Sequence, residues 1–581
     1  MSLRFDSLDA RRENRSFTFS EKLGEATAWR MEDVIPALAR VAEAVAEGSY
    51  AAGFVAYEAG PAFDEALAAH PPLPGIPLVW FELYGRRLEV EPISVLEDAE
   101  SYELGTLTGS ANSGEYERAV RTIQDLIAAG DSYQVNLTLR LQGSFRGSPL
   151  ALYRNFVRAQ RSAFCAYLPL GNHTIVSASP ELFFRYSGRE IELRPMKGTR
   201  PRGRWSEEDE AFAAALAASP KDRAENLMIV DLLRNDLGRI SEFGSVRVPR
   251  LFEVERYPTV HQLTSTIRGT MRSGVGVVEI FRALFPSGSV TGAPKVRTSE
   301  IIHSLEGSPR GPYTGAIGFL GPDDGVFSVA IRTGLIDHTE ATIQVGVGSG
   351  ITSDSDPGAE YRETISKGHF VRHHPGTFSL IESLRLEIPG GYTLVEQHLE
   401  RLAKSARYFD FPFAPPVARA SLLELADALE EGVYKIRLLL RSSGAHVIEH
   451  QRIPAEAPEA RIAISTLAVE SADPFLYHKT TRRRFYDDAL RAAGEGVDDV
   501  ILINERGEVT ESTNSNLVLM VDGELVTPPL DSGILPGVLR GEEIRVGRIR
   551  ERVVRPEDLR SSPEIYLLNS VRGWRRAFLV R

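Results

Sequence analysis

The spacing of hydrophobic and polar residues predicts both helices and strands in the first third of the chain. Residues 115–129 carry apolar positions at helical spacing, and Gly130 ends the predicted helix. Residues 133–141 predict a strand with two unlike faces. One face is apolar and consists of Tyr133, Val135, Leu137, Leu139 and Leu141. The other is polar and consists of Gln134, Asn136, Thr138 and Arg140, so it either meets solvent or lines a polar cavity.

Two further helices are recognisable from their first residues. Ser219 followed by Pro220 and Asp356 followed by Pro357 each combine an N-cap with proline at the first helical position. Lys367 and Gly368 close the second of these helices.

A domain boundary is predicted just after that second helix. The polar stretch HFVRHHPGT (369–377) is followed by a new β-rich pattern with a Pro-Gly-Gly turn at 389–391. We therefore expect a first domain at 1–368, a linker at 369–376 and a second domain at 377–581. No internal repeat is apparent.

Composition narrows the class of protein. The 581 residues predict two to four domains, and 43% hydrophobic with 25% charged residues is typical of soluble globular proteins. The net charge of −12 argues against a nucleic-acid or anionic-membrane surface. No run approaches the roughly 18 apolar residues of a membrane span, and no signal segment is visible, so a cytoplasmic protein without membrane contact is expected. Cys165 is the single cysteine, which excludes an internal disulfide and a cysteine-ligated metal cluster.

Lysine is scarce and therefore informative. Only eight of the 67 basic residues are lysines. A retained lysine is weak evidence for chemistry that arginine cannot perform, such as nucleophilic attack or imine formation. Chance survival of a lysine is an equally good explanation at any single position.

Two pairs of acidic residues lie on the helices that begin at Ser219 and Asp356. Asp222 and Glu225, like Glu360 and Glu363, are three residues apart and share a helix face. Two such pairs could hold Mg²⁺, with water completing the coordination shell. Alternatively, Asp222 only completes a capping box and the glutamates are solvated.

Three segments are dense in glycine, serine and threonine: residues 285–295, 313–319 and 346–357. Such segments allow backbone amides to approach an anion, although each could also be a set of turns.

Several motifs in the first part together resemble those of the chorismate-utilising enzymes. They are RPMKGTRPRG (194–203), DRAENLMIVDLLRNDLGRI (222–240), FPSGSVTGAPK (285–295), YTGAIGF (313–319), VAIRT (329–333) and GSGITSDSDPGAEYRETISKG (348–368). This family includes anthranilate, aminodeoxychorismate, isochorismate and salicylate synthases. The resemblance spans about residues 50 to 368 and implies a large α/β sandwich domain.

The resemblance implies a role for each matching position. Glu225 and Glu363 would bind Mg²⁺ directly, with Asp222 and Glu360 in the outer shell, and the metal would hold the ring carboxylate of chorismate. Glu181 would be the general acid for the departing C4 hydroxyl. The remaining implied substrate contacts are His261, Thr291, Tyr313, Arg332, Gly348, Gly350 and Lys367.

Two positions distinguish branches of this family. Water-adding members resemble one another in carrying a lysine where this chain has Gln134, so glutamine resembles the ammonia-using branch. Anthranilate synthases typically read P-I-A-G-T where this chain reads Pro195-Met196-Lys197-Gly198-Thr199. Lys197 resembles the aminodeoxychorismate synthases and would attack C2 of chorismate. The alternative is that Lys197 is only a structural cation.

The second part offers fewer signals on its own. Lys479 could belong to a basic surface segment, and Glu511 could be a charge at a strand edge. Pro536-Gly537 before a predicted helix start at Val538 and Leu539 could form a phosphate seat. A lysine, an acid and a phosphate seat are the minimum of a pyridoxal phosphate site.

The same segments resemble fold-type IV pyridoxal phosphate enzymes, which include aminodeoxychorismate lyase and the D-amino-acid and branched-chain transaminases. The supporting motifs are HLERLAKSA (398–406), YKIRLLL (434–440), HKTTRRR (478–484), EVTESTNSNL (508–517) and LPGVLR (535–540). The resemblance implies an α+β domain and, by analogy, a homodimer.

The second resemblance also implies residue roles. Lys479 would be the Schiff-base lysine and Glu511 the partner of the pyridinium nitrogen. The phosphate would be held by Arg401, the amides of Val538 and Leu539, and the Ser570 hydroxyl. Leu539 replaces a common threonine, so one hydroxyl contact is missing. Arg572 is a candidate contact for a substrate carboxylate.

Together the two resemblances imply 4-aminobenzoate formation for folate biosynthesis, with Mg²⁺ and pyridoxal 5′-phosphate as cofactors. Because no glutaminase is visible, ammonia would come from a separate glutamine amidotransferase subunit. One alternative is an anthranilate synthase component joined to a D-amino-acid or branched-chain transaminase. Another is a silent chorismate-binding scaffold, which the intact acid, metal and lysine positions disfavour.

Overall fold

The protein was analysed as a computed structural model, which describes residues 3–8, 15–95, 100–372, 376–454 and 458–580. The chain forms two compact units. The first unit comprises residues 1–201 and 213–375. The second contains Arg202–Phe212 and the chain from Gly376 onward. Both units mix helices and strands, which confirms the expected α+β class.

The first unit is built largely from strands. Its strands within the described residues are Arg4–Asp6 (β1), Ser16–Ala28 (β2), Tyr50–Val55 (β3), Val79–Val90 (β4), Tyr102–Leu104 (β5), Thr108–Gly109 (β6), Gln134–Gly147 (β7), Phe164–Leu170 (β8), His173–Ser179 (β9), Leu182–Ser187 (β10), Glu190–Arg194 (β11), Met196–Pro201 (β12), Arg247–Arg256 (β13), Val260–Thr270 (β14), Gly292–Ala293 (β15), Ala316–Leu320 (β16), Asp324–Val329 (β17), Thr333–Asp337 (β18) and Thr342–Ile351 (β19). All of these strands pair antiparallel in one sheet. The sheet has two arms, and β1 joins them because it pairs with β2 in one arm and with β8 in the other.

The first part of the chain also forms helices within the described residues. They are Val34–Ala46 (α1), Gly60–Phe63 (α2), Ser113–Ala128 (α3), Pro149–Gln160 (α4), Ser206–Ala218 (α5), Pro220–Gly238 (α6), Val277–Leu284 (α7), Gly288–Thr291 (α8), Lys295–Leu305 (α9) and Pro357–Ser366 (α10). The first seven residues of α5 belong to the second compact unit and the rest to the first. No helix among the described residues is both long and apolar enough to cross a membrane.

Alternating side chains place the two faces of each sheet arm in different cores. On β16, Ala316 and Leu320 face the core beneath α1, α6 and α7, whereas Ile317 and Phe319 face a central layer between the arms. On β9, Val176 faces the core beneath α3 and α4, while Ile175 joins the same central layer. This sandwich is the arrangement that the sequence predicts for the first domain.

Strand β7 confirms the predicted division of polar and apolar faces. Val135 and the three leucines that follow at alternate positions are buried in one core. Tyr133 does not continue this face, because it precedes the strand and is 72% exposed. On the polar face of β7, Gln134, Thr138 and Arg140 are buried as well, so the polar groups of this face need partners other than bulk water.

A buried ion cluster supplies those partners for the middle of β7. Glu306 accepts hydrogen bonds from Arg140 at 2.9 Å and from Arg310 at 2.6 Å. Arg310 also donates to the backbone carbonyls of Asn136 at 2.8 Å and Val290 at 2.9 Å. Burial opposes ionisation of Glu306, but the two arginines outweigh it and lower the pKa of its carboxyl to about 2. The cluster therefore fixes β7 to the segment that carries Val290.

The second unit contains two sheets. Its strands within the described residues are Leu380–Ile388 (β20), Gly391–Tyr392 (β21), Gly432–Leu440 (β22), His446–Arg452 (β23), Ala460–Val469 (β24), Asp499–Asn504 (β25), Val509–Ser512 (β26), Asn516–Val521 (β27), Glu524–Thr527 (β28), Arg550–Glu551 (β29), Ile565–Asn569 (β30) and Gly573–Leu579 (β31). The antiparallel sheet has the order β21-β20-β22-β23, and the mixed sheet β26-β25-β24-β31-β30-β27-β28-β29.

The helices of the second unit pack against these sheets. Their bounds are Val395–Phe409 (α11), Pro415–Ala428 (α12), Arg484–Ala493 (α13), Val538–Arg545 (α14) and Pro556–Ser561 (α15). The start of α14 at Val538 confirms the predicted helix start. α11 and α12 cover the apolar face of the antiparallel sheet.

The region of the predicted linker begins with buried residues. Phe370 and Val371 lie in a short 3₁₀ turn and pack in the core of the first unit. Residues 373–375 of this predicted linker lie outside the described residues. The domain limits at 368 and 377 stay predictions.

We expect disruption of the Arg140–Glu306–Arg310 cluster to destabilise the first unit strongly. Glu306→Gln leaves two buried guanidinium groups without their anion and should cost about 3–5 kcal/mol of unfolding free energy. Urea dependence of hydrogen exchange in β7 measures this loss. Glu300→Gln is the matched control on α9, the helix that ends just before Glu306. Glu300 pairs with Arg297 at the surface, so this substitution should cost less than about 1 kcal/mol. Equal losses for the two variants would contradict the assignment.

Candidate functional sites

The first unit contains a polar cavity of about 520 Å³, within the size range of small-molecule sites. It brings together most of the predicted site residues of the first part, from segments far apart in sequence. Those that line it are Gln134, Glu181, Lys197, Asp222, Glu225, Tyr313, Arg332, Gly348, Gly350, Glu360, Glu363 and Lys367.

Glycines on β19 allow the neighbouring side chains to lie close to the strand. A Cβ on Gly350 would lie 2.0 Å from Nε2 of Gln134 and 3.0 Å from Nζ of Lys197. A Cβ on Gly346 would lie 2.2 Å from the ring of Tyr313. These three side chains therefore converge along one strand, which explains why the segment cannot carry larger residues.

The two acidic helices begin as the sequence predicts. The Ser219 hydroxyl accepts from the amide of Asp222 at 3.3 Å, and Asp356 accepts from Ala359 at 2.7 Å. At the end of α10, Nζ of Lys367 lies 2.9 Å from Glu363 and donates to the Gly348 carbonyl at 3.1 Å. The carboxylates of both helices thus face the same cavity as a lysine.

Burial changes the acidity of three groups in this cavity. It raises the pKa of Glu181 to about 7, against a hydrogen bond from Ser289. It also raises the pKa of Glu225, and it lowers the pKa of Lys197 in spite of Glu225 and Glu181 nearby. Glu181 can therefore hold a proton near neutral pH, and the Lys197 amine loses its proton more easily than an ordinary lysine.

A metal would need donors beyond the protein. In the part of the chain that the structure describes, no three His, Cys, Asp or Glu side chains are grouped so that they could hold a metal ion alone. Glu225 and Glu363 are oxygen donors of the kind Mg²⁺ prefers, and this ion usually keeps several non-protein ligands. The donor set fits Mg²⁺ if water and a ligand carboxylate complete the shell.

Two predicted contacts do not line the cavity, and three unpredicted residues are associated with it. His261 is buried on β14, and the Thr291 hydroxyl donates to the Ser287 carbonyl at 3.0 Å, so their roles stay predictions. Asn226 donates to the backbone carbonyl of Lys197 at 3.3 Å and thereby supports that residue. Ser289 and Lys221 line the cavity. Asn226 and Ser289 lie inside the motifs 222–240 and 285–295, and Lys221 directly precedes the first of these, so their positions in the motifs could have indicated them.

The second unit contains a cavity of about 360 Å³ with all the predicted residues of the second part. Arg401, Lys479, Glu511, Val538, Leu539, Ser570 and Arg572 line it. Gly537 precedes α14 where a Cβ would lie 1.8 Å from Oδ1 of Asn516, so the helix start approaches that side chain closely.

A buried lysine and a buried glutamate have strongly shifted pKa values here. Burial lowers the pKa of Lys479 to about 8, and Arg401 acts in the same direction. Burial raises the pKa of Glu511 to about 8. Asn516 donates to Glu511 at 2.9 Å and also to the Leu535 carbonyl at 2.9 Å. Such shifts are typical of functional sites.

A second buried ion cluster orients Arg401. Glu382 accepts from Arg401 through both carboxylate oxygens, at 2.9 and 2.7 Å, and forms a 2.6 Å bond with Nδ1 of His398. Burial opposes ionisation, yet Arg401 and His398 lower the pKa of Glu382 to about 2. Arg401 also donates to the Pro536 carbonyl at 3.0 Å, just before α14.

These residues fit a pyridoxal phosphate cofactor. A buried amine, a buried carboxyl, an oriented arginine and a helix start line one cavity, which is the donor set such a cofactor requires. The Leu539 side chain packs with Val518, Ile549 and Leu568. It is therefore a core contact, consistent with the absence of a hydroxyl contact at this position.

The sequence did not indicate the group of cationic side chains, including Lys435, at one edge of the second cavity. On the antiparallel sheet, Lys435 lies opposite Arg385 of the neighbouring strand and two residues before Arg437 on its own strand. Arg385 pairs with Glu387 at 2.6 Å and Arg437 with Glu449 at 2.8 Å. Among the described residues no carboxylate pairs with Lys435, and burial with nearby Arg437, Arg572 and Arg483 lowers its pKa. This edge favours an anionic ligand.

Comparison with known proteins relates the two cavities to two families. Residues 5–373 match the model described as chorismate binding enzyme, and residues 379–578 match amino-transferase class IV. The crystal structure of anthranilate synthase component I from Streptococcus pneumoniae superimposes with a TM-score of 0.55 and 28% identity, covering 62% of this chain and 93% of that one.

Curated relatives match the first part. Aminodeoxychorismate synthase component 1 of Klebsiella aerogenes is 44% identical over 262 residues, which is 45% of this chain and 57% of the relative. Anthranilate synthase component 1 of Streptomyces coelicolor is 42% identical over 262 residues, which is 45% of this chain and 51% of the relative. The chain thus spans about half the length of these relatives.

The shifted pKa of Glu511 should make the stability of the second unit depend on pH. Between pH 6 and pH 8 the folded glutamate keeps a proton that the unfolded one has released, so stability falls as pH rises. Glu511→Gln removes this dependence and should gain about 2 kcal/mol relative to the parent between these pH values. Hydrogen exchange of β25 and β27 in the cofactor-free full chain measures the difference.

Glu508→Gln is the matched control for this pH effect. A hydrogen bond from Arg506 lowers the pKa of Glu508 to about 2, so it is ionised at both pH values. The cost of this control substitution should therefore be the same at pH 6 and pH 8. A Glu511→Gln effect that is equally independent of pH would contradict a neutral, buried Glu511.

Proposed function

Because this chain belongs to the chorismate binding enzyme family, we propose that its first unit converts chorismate and ammonia to 4-amino-4-deoxychorismate. The second unit then converts this product to 4-aminobenzoate and pyruvate, a sequence that serves folate biosynthesis. The observation that carries the proposal is the combination in one chain of the Gln134–Lys197 cavity with a cavity built on buried Lys479 and Glu511.

In the first reaction, Glu181 and Lys197 act on opposite ends of an allylic displacement. The Lys197 amine forms a bond to C2 of chorismate, the two conjugated ring double bonds each shift by one position, and Glu181 protonates the hydroxyl, which leaves C4 as water. Ammonia then adds at C4, both double bonds shift back, and the bond between C2 and the Lys197 nitrogen breaks, which releases the lysine. The raised pKa of Glu181 and the lowered pKa of Lys197 supply the required acid and free amine.

The acidic helices would hold Mg²⁺ against the substrate. Glu225 and Glu363 would be direct ligands, and Asp222 and Glu360 would bind the coordinated water. When bound, the ion neutralises the ring carboxylate of chorismate, which lets an acidic cavity accept a dianion. Arg332 and Lys367 would meet the carboxylates as well.

In the second reaction, Lys479, Glu511 and Arg401 would hold pyridoxal phosphate with Ser570 and the start of α14. When bound, this cofactor supplies the electron sink for loss of the proton at C4. Lys479 is the base that takes this proton, and its lowered pKa suits the task. The C3–O bond then breaks, enolpyruvate leaves and becomes pyruvate on protonation, and the ring becomes aromatic. Arg572 and Lys435 would bind the two carboxylates of the substrate.

Ammonia would come from a separate glutamine amidotransferase. The relatives named component 1 support an enzyme with more than one subunit. We also propose that the chain forms a homodimer, by analogy with fold-type IV enzymes.

Anthranilate formation is the competing function, and the Streptomyces coelicolor relative favours it. Incubation of the full chain with chorismate, Mg²⁺ and ammonium, with and without pyridoxal phosphate, separates the two by product identity. The proposal requires 4-aminobenzoate when pyridoxal phosphate is present. Anthranilate as the product would support the competing function, and chorismate binding without turnover would indicate a scaffold.

Glu225→Gln and Glu363→Gln should each reduce chorismate consumption at least a hundredfold, because each removes a carboxylate proposed to bind the ion directly. Absorbance of the cofactor bound to the second unit should not change. Asp231→Asn is the matched control on α6, since Asp231 pairs with Arg234 at the surface. Full, metal-dependent activity in both glutamine variants would remove these residues from the site.

Lys479→Ala should separate the two reactions. The variant lacks the base but keeps Lys197 and Glu181, so it should consume chorismate and accumulate 4-amino-4-deoxychorismate. Chromatography of the products over time measures this accumulation, and Lys22→Ala is a surface-lysine control. Release of 4-aminobenzoate at the parent rate by Lys479→Ala would exclude the proposed lyase site.

A further inference from the structure

The second compact unit includes a segment from the first half of the chain. We call residues 202–212 the clasp. It begins directly after β12, the strand that carries Lys197, and it ends inside α5. The family match to the second part covers only residues 379–578 and does not include the clasp.

The clasp has a fixed internal shape. Arg202 binds both oxygens of Asp209, at 2.7 and 2.9 Å, and the amide of Gly203 donates to the same carboxylate at 2.9 Å. A Cβ on Gly203 would lie 2.1 Å from the Asp209 amide nitrogen, so glycine is required at this point. The Asp209 side chain thus closes the loop onto the first turn of α5.

One side of the clasp holds the helix that carries Arg401. Tyr408 donates its hydroxyl to the Gly203 carbonyl at 2.7 Å, and Arg202 donates to the Tyr408 carbonyl at 3.0 Å. The Arg202 guanidinium also lies 4.2 Å from the centre of the Tyr408 ring. Glu207 pairs with Lys404 at 2.9 Å, one turn beyond Arg401. The end of α11 is therefore fixed by several directed contacts.

The other side of the clasp holds the residues that precede Lys479. The rings of Trp205 and Tyr477 lie 5.0 Å apart, and Arg204 donates to the Tyr477 hydroxyl at 3.3 Å. Next to Tyr477, the ring of His478 packs 4.3 Å from that of Tyr408 and bonds to Ser405 at 2.9 Å. Trp205 belongs to the same apolar cluster as Tyr477 and Leu476.

We infer that the clasp is a working part of the second site, in which Arg202, Arg204 and Trp205 are positioning residues for Lys479 and Arg401. These two side chains must reach opposite ends of one phosphate-bearing aldehyde cofactor, so their separation has to be held constant. The clasp contacts the helix that carries Arg401 and also contacts Tyr477, two residues before Lys479. The inference rests on the proposed cofactor site of the second unit.

The test uses the full chain and two readouts that need no substrate. The first is the dissociation constant of pyridoxal 5′-phosphate, measured by absorbance titration. The second is the pH dependence of reductive methylation of Lys479 by formaldehyde and cyanoborohydride in the cofactor-free chain, followed by peptide mass spectrometry. Chorismate consumption and circular dichroism report whether each variant is folded.

Trp205→Ala should weaken pyridoxal phosphate binding about tenfold, which corresponds to the loss of one aromatic contact of about 1.4 kcal/mol. It should also raise the pH midpoint of Lys479 methylation, because the loosened chain exposes the amine to water. Trp205→Phe keeps an aromatic ring and should stay within twofold of the parent. Glu210→Ala, at an exposed position of the clasp, is the matched control.

The outcomes separate the inference from the proposed function. Parent-like cofactor affinity and methylation midpoint in folded Trp205→Ala would overturn the inference. A change of equal size in Glu210→Ala would overturn it as well. If the parent chain did not bind pyridoxal phosphate, the proposed lyase function would fail, and the methylation midpoint would still decide whether the clasp positions Lys479.

Discussion

A buried carboxylate is stable only where cations or hydrogen-bond donors replace the water it has lost, and each unit of this chain contains a site that depends on this constraint. In the first unit Glu306 holds Arg140 and Arg310, which in turn bind the backbone beside the cavity. In the second, Glu382 holds Arg401 and His398. Each glutamate fixes the orientation of the arginine that it binds, Arg310 in the first unit and Arg401 in the second. The part of the cavity wall next to each arginine is therefore fixed as well.

The same constraint separates structural glutamates from chemical ones. Glu306 and Glu382 bond directly to arginines and have pKa values of about 2. Glu181 and Glu511 are as deeply buried, but their side-chain partners are the neutral Ser289 and Asn516, and their pKa values are raised to about 7 and 8. A glutamate that keeps its proton near neutral pH can donate it. The identity of the partner, more than burial itself, therefore decides which carboxyl can do acid–base chemistry.

The sequence predicted those features that depend on interactions between residues close together in the chain. The caps at Ser219 and Asp356 and the apolar face of β7 depend on neighbours within a few residues, and the structure confirms them. The resemblance to known families identified residues that line both cavities, because those motifs carry long-range information. Lys435 could not be predicted in this way. Within the described residues it has no carboxylate partner, whereas its neighbours Arg385 and Arg437 each have one, and this difference appears only in the folded sheet.

The clasp shows that the limits of a family match along the sequence need not coincide with the limits of a compact unit of the structure. Residues 202–212 lie within the region matched by one family and pack with residues matched by another. Nothing in their local pattern signals this, because each contact joins residues about 200 or more positions apart, as between Gly203 and Tyr408. The clasp begins inside the motif 194–203 of the first family, so residues of one family match can also contact the site of the other. The helix that carries Arg401 and the residues before Lys479 thus make contacts with residues that lie outside the match to their own family.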